Sequence, residues 1–165
     1  MQIVLGLALA PHQNPGSSIF GLITALNAAS HLLLLVAVAG LLRSSALGSS
    51  RLGHGGLVLT LFGLVVLVLA EPTSLLNMEI AVILFSMSTL AIMIGMILAG
   101  IAMLRGGRWT GWQRFAPLAC GLFIPLILVP AFALPGYASN YAIGVWGVCW
   151  LLLGLALRES NSATI

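Results

Sequence analysis

Few positions in this chain carry groups that could do chemistry. Thr24, Asn27 and His31 are spaced i, i+3 and i+7, which places a hydroxyl, a carboxamide and an imidazole on one face of a helix. Thr60, Ser86 and Thr89 are further polar side chains inside long apolar runs, and Glu79 stands just before one of those runs. Such groups have two uses. They can hydrogen-bond between helices and hold a bundle together, at about 0.6–2 kcal/mol per contact. Alternatively they line a small polar cavity, with Glu71 and Glu79 at its mouth and His31 at its floor, where a small molecule or a proton would bind.

Other chemistries fail on residue type or on spacing. The three acidic residues are all Glu, no segment reads Gly-x-Ser-x-Gly, and no His is spaced to serve a particular Ser as its base. Hydrolytic machinery is therefore not visible, and the chain is expected not to be an enzyme. Cys120 and Cys149 lie in apolar runs outside any Cys-x-x-Cys or Cys/His cluster, so neither a disulfide framework nor a zinc site is expected. Haem held by two histidines needs both at one depth, and at 1.5 Å per residue His54 falls about 14 Å below His31. No metal and no cofactor is expected.

The elements that must position these residues follow from composition. Of 165 residues, 61% are hydrophobic and 5% charged, whereas a soluble domain has about 25% charged residues to cover its surface. The same figures exclude a collagen, a disordered tail, a disulfide-stapled secreted module and a nucleic-acid binder. The remaining surroundings are a lipid bilayer, with a membrane-protein partner or a second copy left open. A hydrocarbon core about 30 Å thick takes roughly 20 residues of apolar helix. Five charge-free runs satisfy that, at 19–42, 52–70, 80–104, 115–135 and 138–157. The expected fold is all-α, a single polytopic transmembrane helical bundle with short loops and antiparallel neighbours. Residues 1–18 read as a short external N-terminal arm, set off by Pro11 and Pro15. On the same helical rise, Asn27, Thr60, Ser86, Thr89 and Trp146 all lie about 9–15 Å from one face, and His31 about 18 Å. The fourth run carries Pro125 and Pro130, each of which removes a helical N–H donor and favours a kink.

Arginine placement sets an expected direction, because Lys and Arg beside short loops are retained in the cytoplasm. Arg43 and Arg51 lie between runs one and two, Arg105, Arg108 and Arg114 between three and four, and Arg158 after five, while Glu71 and Glu79 lie between two and three. The N-terminus is therefore expected outside and the C-terminus in the cytoplasm. Trp109 and Trp112, interleaved with Arg105, Arg108 and Arg114, are expected with Arg43 and Arg51 as anchors in the headgroup layer. Small residues recur every four positions as Gly21, Ala25, Ala29 and as Ala91, Gly95, Ala99, a spacing that lets helix backbones approach closely, within the bundle or against another subunit.

The runs at 21–43, 95–109 and 154–158, apolar helix ends closed by Arg and Gly, resemble small multi-pass membrane proteins of bacteria that have no assigned activity. The resemblance implies a bacterial inner membrane. The leading expectation is a non-enzymatic structural or accessory bundle protein; the alternative is binding or transport of a small molecule or proton through the polar layer around His31.

Overall fold

The structure, a computed structural model, describes residues 1–9, 12, 17–106 and 108–162. Its described residues form helices and turns without a strand: α1 (Gln2–Ala8), α2 (Phe20–Arg43), α3 (Arg51–Leu76), α4 (Met78–Gly106), α5 (Ala116–Phe123), a π-helical turn (Ile124–Leu128), α6 (Val129–Phe132) and α7 (Ala138–Ser162). Five segments are long and apolar enough to cross a membrane, counting Gln113–Phe132 as one broken helix. Leu33, Val36, Phe62 and Ile83 are among many large apolar side chains left exposed. Such an outer surface is at home against lipid tails rather than water.

α3 and α4 are the most closely packed pair, joined through the single residue Asn77. Glycine permits this approach. A Cβ on Gly56 would lie 2.6 Å from the carbonyl oxygen of Gly95, and one on Gly95 would strike Thr60 and Gly56 in return. Leu57, Leu64, Ile92 and Met96 are completely buried along the seam. The row Ala91, Gly95, Ala99 thus packs within the bundle at Gly95 and Ala99, whereas Gly21, Ala25 and Ala29 on α2 are exposed.

Against the sequence expectation, α3 does not stop at Ala70. It runs through Glu71 and Pro72 to Leu76. Proline lacks the N–H that would bond four residues back, but side-chain hydroxyls satisfy neighbouring carbonyls: Thr73 Oγ1 donates to Leu69 O at 2.8 Å and Ser74 Oγ to Glu71 O at 2.6 Å. The extra turn carries Glu71 into the bundle.

The expected break near Pro125 and Pro130 takes the form of the π-helical turn, in which the N–H of Val129 donates to the carbonyl of Ile124, five residues back. Before this turn the helix packs tightly on α4, with a Cβ on Gly100 falling 2.7 Å from Leu118 backbone and one on Gly121 falling 2.8 Å from Ile97 N. Beyond it α6 barely touches α4.

Of the expected N-terminal arm, Ala10, Pro11 and residues 13–16 lie outside the described residues. Its first turns form α1, which packs along α7: a Cβ on Gly144 would lie 3.1 Å from the Cα of Gly6. All six arginines are exposed and share one end of the bundle. There the N–H of Arg108 donates to Ala46 O at 2.9 Å, and Gln113 Nε2 donates to Glu159 Oε2 at 2.6 Å. Trp112 is 44% exposed at that end, and the Arg114 guanidinium carbon sits 4.9 Å from the Phe115 ring centroid. Trp109, expected with Trp112 as an anchor in the headgroup layer, is buried at this same end in the core cluster with Ala46 and Leu47. An indole there adds apolar contact between the two loops of the arginine end.

Candidate functional site: a cavity at the acidic end of the bundle

A cavity of about 610 Å³ occupies the half of the bundle away from the arginines, walled by α1, α2, α3, α4, α7 and the kinked helix. Each wall presents a regular face. α2 contributes Thr24, Asn27 and His31, the i, i+3, i+7 set. From α3 come Leu67, Glu71 and Ser74, which continue a buried row through Leu57, Thr60 and Leu64. The α4 face is Val82, Ser86, Thr89 and Met93. Val82 and Leu90 on α4 and Val129 and Phe132 beyond the π turn are more than half exposed while lining the same space. The kink that separates α6 from α4 therefore leaves a lateral slot into the cavity.

At its floor His31 and Glu71 face each other. His31 Nδ1 lies 3.4 Å from Glu71 Oε1, with the two residues 6% and 4% exposed. The separation is within ion-pair reach, but the alignment is not that of a hydrogen bond, so Nδ1 makes none. A charged group inside a bilayer costs several kcal/mol unless paired. The pair answers that cost in either of two forms, imidazolium with carboxylate or imidazole with carboxylic acid, because both contain one proton and sum to zero charge.

Six of the eight residues that the sequence assigns to a polar cavity, Thr24, Asn27, His31, Glu71, Ser86 and Thr89, line this one; Thr60 and Glu79 do not. Thr60 is fully buried in the α3–α4 seam and its Oγ1 donates to Gly56 O at 3.0 Å. Glu79 is exposed in the first turn of α4, where a carboxylate is favoured by the helix dipole. The side chain that faces His31 is thus Glu71. Ser86 spends its hydroxyl on Val82 O at 2.8 Å within α4. The sequence sets Glu71 at the cavity mouth, beyond the end of the second run; the signal that carries it inside, against His31, is the uninterrupted 57, 60, 64, 67, 71, 74 spacing of one helical face.

Phe20, Phe85 and Trp146 add aromatic surface to the walls. Trp146 is fixed by donation from Nε1 to the carbonyl of Cys120 at 2.9 Å and by an edge-to-face contact with Trp150, ring centroids 5.5 Å apart. Both indoles are buried. Cys120 and Cys149 are free thiols, and His54 sits in the first turn of α3 with Nδ1 2.7 Å from Ser50 O. Among the described residues no three His, Cys, Asp or Glu side chains come together as metal ligands. No protein-family model, curated protein or solved structure matches the chain.

Proposed function

We propose that this protein is a non-enzymatic, multi-pass membrane protein whose cavity binds a small, largely apolar molecule against the His31–Glu71 pair. The observation that carries the reading is the buried pair at 3.4 Å on the floor of a 610 Å³ cavity. Ligand pockets are commonly about 300–1,000 Å³, mostly apolar, with a few convergent polar groups. A bundle that served only to pack would gain more from filling that volume with side chains, since an empty space forfeits dispersion contacts. Entry through the slot beside Val82 and Phe132 suits a molecule that partitions from the lipid. With arginines as the cytoplasmic retention signal, the N-terminus lies outside and the C-terminus inside a bacterial inner membrane. The cavity then occupies the outer half.

The test uses the full chain in lipid nanodiscs and N-phenyl-1-naphthylamine, a neutral apolar fluorophore. Saturable fluorescence enhancement above that of empty nanodiscs is expected, and it should vanish in Thr89→Trp and Ser86→Trp, which place an indole in the cavity. Enhancement that matches empty nanodiscs, or that survives both substitutions, would count against a cavity site.

A further inference from the structure

We infer that the cavity takes a lipophilic monovalent cation, such as a bulky organic amine or onium ion, and exchanges it for one proton. This rests on the cavity being a small-molecule site and names the class of molecule.

Charge selects the class. Glu71 is the acid lining the cavity and His31 the base, and α1, α4, the kinked helix and α7 contribute no titratable side chain to the lining among the described residues. Glu79 on α4 is exposed outside it, and the thiols of Cys120 and Cys149 and the phenols of Tyr137 and Tyr141 are not part of it. All six arginines stand at the opposite end of the bundle, so the cavity has no permanently cationic side chain to hold an anion.

Neutrality then sets the stoichiometry. The empty pair holds one proton and carries no net charge. A monovalent cation seated beside Glu71 keeps the cavity neutral only if that proton departs to the aqueous phase, leaving imidazole, carboxylate and ligand cation, which again sum to zero. Retaining both would put an uncompensated charge inside the membrane. No covalent bond is made to the ligand; an N–H or O–H bond of the pair is the only one broken. The walls suit the same ligand. Phe20, Phe85, Phe132 and Trp146 line the cavity, and ring faces attract a desolvated cation. The lateral slot admits a molecule already dissolved in lipid.

Tetraphenylphosphonium and tetraphenylborate, nearly the same in shape and opposite in charge, are the probes. The full chain in phosphatidylcholine nanodiscs is titrated with each by calorimetry in two buffers of different ionisation heat. Expected are saturable phosphonium binding with release of about one proton per cation, affinity rising about tenfold per pH unit while the pair holds its proton, and much weaker borate binding. Glu71→Gln should weaken phosphonium at least tenfold, and Glu71→Asp should retain selectivity for it; helicity by circular dichroism reports folding of both. Equal binding of the two ions, or phosphonium binding without proton release, would overturn the assignment. So would failure of phosphonium to bind while N-phenyl-1-naphthylamine still does, which leaves the cavity site standing; failure of both probes removes the site itself.

Discussion

At the scale of the residue, His31 and Glu71 depend on each other. Removing one leaves the other buried among apolar walls with an unmet polar need, a loss of about 1–3 kcal/mol. Both His31→Leu and Glu71→Leu should therefore lower stability, measured by reversible unfolding in mixed detergent. The double substitution should recover most of that loss, because replacing a buried polar pair with apolar side chains is often neutral or better. It should also abolish saturable ligand binding, which separates the pair's role in the site from its role in the fold. Additive losses in the double variant would mean that the two side chains are not coupled. Glu79→Gln, on an exposed carboxylate outside the cavity, should leave binding unchanged and lower stability by no more than about 1 kcal/mol, the share of the helix dipole.

At the scale of the element, two backbone features shape the cavity. The α3–α4 seam is held by glycine, and a methyl group on Gly95 would collide with Thr60 and Gly56. Gly95→Ala should cost about 1–3 kcal/mol, read in the same unfolding assay, whereas Gly21→Ala, which meets no neighbour, should be close to neutral. The π turn at Ile124–Leu128 is the second feature. Pro125→Ala restores an N–H donor and lets the segment regularise toward an α-helix. The slot between α4 and α6 should then narrow and probe affinity fall without loss of stability. Unchanged affinity together with unchanged helix geometry would assign the turn to packing around Pro130 instead.

At the scale of the whole molecule, charge is segregated. Six exposed arginines and Glu159 occupy one end, and Glu79 with the cavity occupies the other. Single cysteines introduced at Glu79 and at Arg108, in a background lacking Cys120 and Cys149, test the proposed orientation. A membrane-impermeant maleimide added to intact cells should label the first and spare the second until the membrane is opened. The reverse pattern would invert the topology and turn the cavity toward the cytoplasm.

The sequence by itself determined the five spans, because a charge-free run of about 20 residues is a local property that a bilayer reads directly. It also determined the shared face of Thr24, Asn27 and His31, since helical periodicity needs no neighbour. The expected break at Pro125 and Pro130 was legible too, although its π-helical form depends on how the chain re-satisfies the freed carbonyls. Only the tertiary structure decided which carboxylate meets His31. Pro72 is a turn signal when read alone, and the continuation of α3 past it depends on Thr73 and Ser74 hydroxyls and on burial against α2 and α4. The burial of Trp109 is a tertiary fact for a related reason: an indole beside arginines has the composition of an interface anchor, and only the packing of two loops at the arginine end covers it. The cavity is likewise a tertiary fact, for it is the space left where α6 turns away from α4, and no single helix encodes a gap between two.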